Sequence, residues 1–203
     1  MNEKSMNIVL TGFRATGKSS VGRMLAEKLR YTFIDTDILL CERLGAPIAD
    51  IVASRGWDFF RQAERRLLME VTGMVRTVLA TGGGAIEHLV EWRQLRSCCY
   101  VVWLDADPAT IRKRMNDDPK SAGQRPSLTG APASDEIEAL LRRRIPLYAA
   151  GSDLHLATED KGPAVLVESI IKEMRADLLK REGTLYVAER KEREPHRGQG
   201  GKR

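Results

Sequence analysis

The sequence has no apolar segment long enough to cross a membrane. In this chain of 203 residues the longest uninterrupted apolar run is Cys98 to Leu104, which is seven residues. A membrane-spanning helix needs roughly 20. The first residues are also not followed by the apolar stretch that a secretory signal requires. These absences predict a protein without a membrane partner.

Cysteine is equally scarce. The three cysteines are Cys41 and the adjacent pair Cys98 and Cys99, which can neither build an even disulfide framework nor match the spacing of a metal site. Because 42% of the residues are hydrophobic, the chain can still bury a core, which excludes wholesale disorder. We therefore predict one reduced, cytoplasmic domain.

The charge of the predicted domain is nearly balanced once the basic C-terminal segment is counted separately. The 33 Lys and Arg against 28 Asp and Glu give a net charge of +5, which could indicate nucleic acid or a membrane surface as a partner. However, residues 181–203 hold seven Lys or Arg and four Glu, and this polar segment is predicted to be a disordered tail. Residues 1–180 form the predicted domain and carry only +2. We expect small anionic ligands and no nucleic acid.

Five short apolar runs lack period-2 alternation, which is typical of strands that are buried on both faces of a parallel sheet. Segments with helical periodicity lie between them, such as Val21, Met24, Leu25 and Leu29. This alternation predicts a doubly wound α/β fold. The five runs are Asn7–Thr11, Thr32–Ile34, Thr77–Ala80, Tyr100–Leu104 and Leu154–Ala157.

The first run leads directly into a phosphate-binding motif. Gly12 to Ser19 reads G-x-x-x-x-G-K-S, in which glycines let backbone N–H groups face phosphate oxygens and a helix N-terminus adds its positive dipole end. Lys18 would reach the β- and γ-phosphates, and Ser19 would bind Mg²⁺. The pattern arises by chance in roughly one chain in a hundred of this length. Its position between a strand and an amphipathic helix predicts a nucleoside-triphosphate site.

Two large classes of nucleotide hydrolases do not fit. The Asn-Lys-x-Asp segment that reads guanine is absent, and the strand that ends at Asp105 continues with Ala106 instead of the Glu of motor and ABC-type ATPases. A small kinase that acts on a soluble acceptor suits the chain length best.

Two carboxylates follow the second strand, where ligands bind in parallel α/β sheets. Asp35 and Asp37 would project on the same side of the extended chain. One could serve Mg²⁺ and the other could accept a hydroxyl proton. Helix capping is an equally good explanation of this pair.

Two arginines have positions that suggest anion binding. Arg61 and Glu64 are i, i+3 neighbours on a predicted helix, so the carboxylate could fix the guanidinium group for bidentate binding; a weak surface ion pair is the alternative. Arg144 occupies the apolar stripe of another helix. A buried cation needs a counter-charge, which would be either a structural acid or a substrate carboxylate.

Two loops complete the candidate site. Gly82, Gly83 and Gly84 follow the third strand, and three consecutive glycines are typical of a backbone that a ligand approaches closely. The segment 116–134 contains three prolines and two glycines and is predicted to be a lid. In it Arg125 could reach the transferring phosphoryl group, although an exposed linker arginine is the alternative.

Together and in this order, the motifs resemble shikimate kinase over about residues 6 to 175. The resemblance implies a three-layer P-loop kinase fold: a five-stranded parallel sheet flanked by helices, with the lid at about 116–134 and a helical substrate-binding insertion at about 36–66. It also implies a cytoplasmic monomer. The matching elements are Gly12–Ser20, Asp35–Asp37, Phe60-Arg61 with Glu64, Gly82–Gly84, Arg125-Pro126 and Arg144–Tyr148.

The same resemblance implies a reaction and a role for each residue. The reaction is the ATP- and Mg²⁺-dependent phosphorylation of the 3-hydroxyl of shikimate, on the route to chorismate and the aromatic amino acids. Asp37 would be the base, with Lys18 and Arg125 completing the catalytic set. The metal would bind Ser19 directly and Asp35 through water. Shikimate would be held by Asp37, Arg61, Gly82, Gly83 and Arg144, with its carboxylate on the two arginines. ATP would contact Gly12, Ala15, Thr16, Gly17, Lys18, Ser19, Ser20, Arg114 and Arg125, with Arg114 near the adenine.

Three positions depart from the family pattern. Ala15 stands where the family often has Gly, Ser20 where it has Thr, and Ser127 where it usually has Leu. None of these changes removes a required charge or donor.

Two other functions stay open at this point. A gluconate or nucleoside-monophosphate kinase would use the same scaffold, although a nucleotide acceptor has no need of both Asp37 and the Arg61–Glu64 pair. A non-catalytic nucleotide-binding module would have no use for a base at Asp37.

Overall fold

The computed structural model describes residues 6–117 and 133–193. For residues 133–135 and 181–193 it describes the backbone alone.

The chain forms five strands, which are β1 (Asn7–Thr11), β2 (Thr32–Asp35), β3 (Thr77–Ala80), β4 (Cys99–Asp105) and β5 (Leu154–Ala157). They form a single parallel sheet in the order β2-β3-β1-β4-β5. Strands β1 and β4 lie side by side in the middle of the sheet, and each is buried along nearly its whole length. This confirms the predicted five-stranded parallel sheet.

Helices cover both faces of the sheet, because the strand residues point alternately to the two sides. Val9 and Val101 face one side, whereas Ile8 and Val102 face the other. The helices are α1 (Lys18–Leu29), α2 (Thr36–Leu44), α3 (Ile48–Val71), α4 (Leu89–Cys98), α5 (Pro108–Asp117), α6 (Ala133–Gly151) and α7 (Pro163–Arg193), with a 3₁₀ turn at Ala85–Glu87.

Each face has its own hydrophobic core. On one face α1 and α7 pack on the sheet, with Leu25 and Ile170 fully buried. On the other face α2, α3, α4 and α6 pack together around residues such as Leu68 and Tyr148. The result is the three-layer arrangement that the sequence predicted.

The boundary that was predicted at residue 181 does not coincide with the end of a helix. Helix α7 continues to Arg193, through a segment rich in Glu, Lys and Arg, which favour helix. Residues 194–203 lie outside the described residues. So does most of the predicted lid, since α5 ends at Asp117 and α6 begins at Ala133.

Three further observations bear on the early expectations. Among the described helices, none has the length and apolar character to span a bilayer. Cys41, Cys98 and Cys99 are free thiols. Within residues 6–117 and 133–193, no cluster of three or more His, Cys, Asp or Glu side chains could hold a metal ion.

Candidate active site

The phosphate-binding loop joins β1 to α1 and adopts a tightly curled backbone. Gly12 and Gly17 have positive φ angles of 134° and 86°, and a Cβ on Gly12 would lie 2.1 Å from the carbonyl oxygen of Leu104, so only glycine fits there. The Thr16 hydroxyl and the Lys18 ammonium group both donate to the carbonyl of Phe13, at 2.8 and 2.5 Å. These two hydrogen bonds stabilise the curled conformation of the loop.

Helix α1 begins at the end of this loop without a side-chain cap from the described residues. Its first N–H groups are therefore available to an anion, as expected of a phosphate site. Ala15 also has a positive φ, 60°, the left-handed region that costs a residue with a side chain about 1 kcal/mol. Ser20 lies exposed on the first turn of α1.

A hydroxyl and a carboxylate meet beside the loop. Ser19 Oγ donates to Asp35 Oδ2 at 2.6 Å. The other oxygen, Oδ1, accepts from the backbone N–H groups of Asp37 and Ile38, at 3.1 and 3.4 Å, and so caps α2. Capping and metal binding are therefore compatible at Asp35, since each uses a different oxygen. Ser19 and Asp35 supply hard oxygen donors of the kind that Mg²⁺ prefers.

Asp37 is placed by the start of α2. Its backbone is tied to Asp35, as described above, and the preceding residue, Thr36, is buried and accepts a hydrogen bond from the backbone N–H of Gly82 at 3.0 Å. Asp37 itself is partly exposed. The ends of β2 and β3 thus bring the start of α2 next to the glycine segment.

Each of the last two glycines of that segment has a neighbour that a side chain would disturb. A Cβ on Gly83 would lie 3.4 Å from the Gly12 carbonyl oxygen, and one on Gly84 would lie 2.5 Å from Arg61 Nη1. The Gly83 carbonyl also accepts a hydrogen bond from the Tyr148 hydroxyl at 2.6 Å. The sequence predicted that a ligand approaches these glycines; in the structure they make room for the phosphate-binding loop and for Arg61.

Arg61 and Glu64 form a shielded pair on α3. The distance between Arg61 Nη1 and Glu64 Oε2 is 2.6 Å, and the Glu64 side chain is only 1% exposed. His88 Nε2 lies 2.8 Å from the same oxygen. Burial alone would raise the pKa of Glu64, but the hydrogen bond to His88 and the charge of Arg61 bring it below its ordinary value. The alternative of a solvated surface ion pair is therefore wrong.

Arg144 is buried on α6, with its side chain 4% exposed. Its Nη2 donates to Glu87 Oε2 at 3.0 Å, and Arg143 Nη2 lies 2.5 Å from Glu87 Oε1. Glu87 is thus the structural acid that the apolar position of Arg144 required. Arg144 Nε is buried and has no hydrogen-bond partner among the described residues, so the pair with Glu87 does not use every donor of this guanidinium group.

Arg114 connects the phosphate-binding loop to the segment after β5. Its Nη1 donates to the Ala15 carbonyl at 3.3 Å and to Thr158 Oγ1 at 3.0 Å, and its Nη2 donates to the Thr158 carbonyl at 2.7 Å. Arg125 falls in 118–132, outside the described residues.

Most of the predicted residues therefore converge at one end of the sheet, around the carboxyl ends of β1, β2 and β3. Sequence reasoning missed the roles of Glu87 and His88. Both lie shortly after the glycine segment, beyond Ala85 and Ile86, and their position after β3 was the one local signal that could have identified them.

We expect acid to weaken the buried pairs. The charges of Arg144 and Arg143 outweigh burial and hold the pKa of Glu87 below its ordinary value near 4.5. A carboxyl group whose pKa is lower in the folded state than in the unfolded state stabilises the fold at pH values above the unfolded-state pKa. This stabilisation is lost as the pH falls through the folded-state pKa. The loss of melting temperature caused by Glu87→Gln should therefore be largest above about pH 5 and shrink toward pH 3, as thermal unfolding by circular dichroism would measure.

Glu138→Gln is the matched control, because Glu138 lies on the same helix as Arg144 and, within the described part of the chain, its ion pair with Arg112 is exposed. It should change the melting temperature little at any pH. A loss for Glu87→Gln that is the same at pH 3 and pH 7 would contradict the role of the Glu87 charge.

Comparison with known proteins identifies the family of this chain. The family model described as shikimate kinase matches residues 14–175. A shikimate kinase of Moorella thermoacetica is 42% identical over 170 residues, which cover 84% of this chain and 95% of that protein. One from Syntrophus aciditrophicus is 38% identical over 178 residues, covering 84% and 91%.

Solved structures agree with the sequence relatives. A shikimate kinase from Acinetobacter baumannii in complex with shikimate superposes with a TM-score of 0.79 at 31% identity, covering 85% of this chain and 94% of that one. The shikimate kinase from Aquifex aeolicus gives 0.72 at 29% identity, covering 86% and 99%. A gluconokinase from Sinorhizobium meliloti, at 20% identity and a TM-score of 0.50, shares the fold alone.

Proposed function

This chain belongs to the shikimate kinase family, and we propose from its site how it transfers a phosphoryl group from ATP to the 3-hydroxyl of shikimate. It is a kinase of the shikimate pathway, and gluconate or a nucleoside monophosphate is not favoured as its acceptor. The observation that carries the proposal is the placement of two held guanidinium groups, Arg61 and Arg144, beside the same short segment, Gly84–Glu87. A single carboxylate on the acceptor would suit them both.

ATP would bind through the phosphate-binding loop. Backbone N–H groups of the loop and of the start of α1 would face the phosphates, and Lys18 would exchange its bond to the Phe13 carbonyl for the β- and γ-phosphates. Mg²⁺ would bind Ser19 and, through water, Asp35, and it would supply charge neutralisation at the phosphates. Arg125 of the lid and Arg114 beside the adenine stay predictions.

Asp37 would act on the acceptor hydroxyl. It lies one residue beyond Thr36, which is bonded to the glycine segment, and two beyond Asp35, the proposed metal-side carboxylate. From this position Asp37 would orient the 3-hydroxyl and accept its proton as phosphoryl transfer proceeds. The backbone of Gly82 and Gly83 would form part of the surface against which the shikimate ring packs.

The carboxylate of shikimate would be read by the two arginines. A planar guanidinium group binds a carboxylate with two parallel hydrogen bonds, and the acids Glu64 and Glu87 already hold the two groups in place. A nucleoside monophosphate offers no carboxylate, and gluconate offers a flexible chain where shikimate has a ring.

A coupled assay of ADP release tests this assignment. The purified enzyme would be given ATP, Mg²⁺ and, in turn, shikimate, quinate, gluconate and nucleoside monophosphates. We expect efficient turnover with shikimate alone. Higher kcat/KM with gluconate or a nucleotide would overturn the assignment, and no turnover with any acceptor would favour a binding module.

We also propose that the enzyme works in the cytoplasm. Its three cysteines, Cys41, Cys98 and Cys99, are free thiols, which is the usual state in a reducing compartment. The monomeric state stays a prediction.

Gly84→Ala should weaken shikimate binding through Arg61. The new Cβ would lie 2.5 Å from Arg61 Nη1 and 2.8 Å from Nη2, so the guanidinium group must move away, and displacement by about 1 Å is enough to cost tenfold or more. We expect KM for shikimate to rise roughly tenfold with KM for ATP unchanged, as steady-state kinetics would measure.

Gly73→Ala is the control, because Gly73 is exposed and its nearest neighbour, the Glu70 carbonyl oxygen, would lie 3.7 Å from a Cβ. It should leave both Michaelis constants as they are. If Gly84→Ala also left KM for shikimate unchanged, Arg61 would not contact the acceptor from its present position.

A further inference from the structure

We propose that His88 is a positioning residue for the acceptor: through Glu64 it fixes Arg61, and it thereby sets the affinity of the site for the shikimate carboxylate. The inference deepens the proposed function and rests on the role of Arg61 given there.

His88 lies between the 3₁₀ turn and α4 and is held on both ring nitrogens. Its side chain is 4% exposed. Arg65 Nε lies 3.2 Å from His88 Nδ1, and His88 Nε2 lies 2.8 Å from Glu64 Oε2. An arginine nitrogen can only donate, so Nδ1 must accept and the ring proton must be on Nε2. His88 therefore donates to Glu64 through Nε2.

The carboxylate of Glu64 depends on this donor for its orientation. Glu64 Oε2 receives two donors, His88 Nε2 and, at 2.6 Å, Arg61 Nη1. Its other oxygen, Oε1, is buried and has no hydrogen-bond partner among the described residues. With His88 removed, Arg61 would be the one described donor left to this buried carboxylate, and the pair would lose its anchor to the turn.

Arg61 in turn has little else that fixes its guanidinium group. Its side chain is 21% exposed, and beyond Glu64 it packs over the rings of Trp57 and Phe60, at 5.3 and 5.8 Å, and over Gly84. Such ring contacts do not define the direction in which the N–H groups point. The hydrogen-bonded series His88–Glu64–Arg61 does define it.

A buried histidine that only satisfies its own hydrogen bonds would affect stability and nothing else. A positioning role predicts a specific kinetic change. It should raise KM for shikimate, because Arg61 would bind the carboxylate. KM for ATP should not change, because the contacts of His88, Glu64 and Arg61 among the described residues do not include the phosphate-binding loop.

The variants His88→Leu and His88→Gln distinguish the effect of losing the hydrogen-bond donor of His88 from the effect of changing its side-chain shape. Leucine has a similar size but cannot donate to Glu64, and we expect KM for shikimate to rise at least about fivefold, as loss of a hydrogen bond to a charged group implies. Glutamine can donate to Glu64 and accept from Arg65, and it should stay within about twofold of the wild-type enzyme. Thermal unfolding and KM for ATP are measured on the same samples.

A double-mutant cycle with Arg61→Ala decides whether the effect passes through Arg61. We expect His88→Leu to raise KM for shikimate in the wild-type background and to have no further effect once Arg61 is absent. An equal rise in both backgrounds, or no rise in either, would overturn the proposal. If Arg61→Ala alone leaves KM unchanged, the proposed carboxylate site itself is wrong, which is a different result.

His88→Asn keeps the test decisive if His88→Leu does not fold. Asparagine is polar and retains a group near Arg65, but it is too short to reach Glu64. It should raise KM for shikimate as leucine does, and a wild-type value would overturn the proposal.

Discussion

Asp37→Asn is expected to lower kcat for shikimate phosphorylation by at least about 10³-fold, while nucleotide binding stays close to that of the wild-type enzyme. An amide has almost the shape of a carboxylate but cannot accept a proton. The link between Asp35 and position 37 survives the change, because it uses the backbone N–H of residue 37. Steady-state kinetics would give kcat, and calorimetry would give the affinity for nucleotide.

Asp50→Asn is the matched control for this change. Asp50 is an exposed aspartate in the first turn of α3, so its neutralisation should cost at most a small fraction of the helix stability and none of the turnover. Retention of most of the rate by Asp37→Asn would mean that another group takes the proton or that positioning of the substrates is sufficient.

Arg144→Ala is expected to raise KM for shikimate by at least tenfold, which corresponds to about 1.4 kcal/mol. The change removes one of the two guanidinium groups and, with it, the buried Nε that has no partner among the described residues. Glu87 still keeps Arg143 as a counter-charge, so the carboxylate is not left alone. KM for ATP should not change.

Arg142→Ala is the matched control, because Arg142 lies two residues earlier on the same helix and is exposed. Arg144→Lys adds a second comparison: it keeps the charge but loses the planar fork, and KM should stay raised. An Arg144→Ala enzyme with normal shikimate kinetics would exclude this arginine from the acceptor site.

The local part of the fold could be predicted from the sequence, and the arrangement of its parts could not. Strands of a parallel sheet read as short apolar runs, so all five were located to within about one residue of their observed ends. The expected burial on both faces is found for β1, β3 and most of β4, whereas the edge strands β2 and β5 are only partly buried. The order of the strands depends on which crossover each helix makes, and no residue pattern in one strand encodes its neighbour. That is why the order β2-β3-β1-β4-β5 emerges from the structure alone.

The candidate site shows the same division. The apolar stripe of α6 indicated that Arg144 needs an anion, but its partner Glu87 lies 57 positions earlier in the chain. His88 is 24 positions from Glu64 and carries no motif of its own. Such pairs are formed by packing of distant elements, which periodicity within a single helix cannot reveal.

Observed distances bear on two interpretations that the sequence left open. The pair of aspartates could either cap a helix or serve a metal, and Asp35 has one oxygen on the start of α2 and the other on Ser19. The Arg61–Glu64 pair could either be a surface contact or hold an arginine in place, and the burial of Glu64 excludes the first.

From the contact between the glycine segment and the phosphate-binding loop we expect that the two substrates do not bind independently. Gly83 packs against the backbone of Gly12 and Arg14 on one side and is bonded to Tyr148 on the other. If the loop shifts on binding nucleotide, the backbone that we propose to lie under the acceptor should therefore shift with it. Linkage then requires reciprocity: by whatever factor bound ATP changes the affinity for shikimate, bound shikimate changes the affinity for ATP by the same factor.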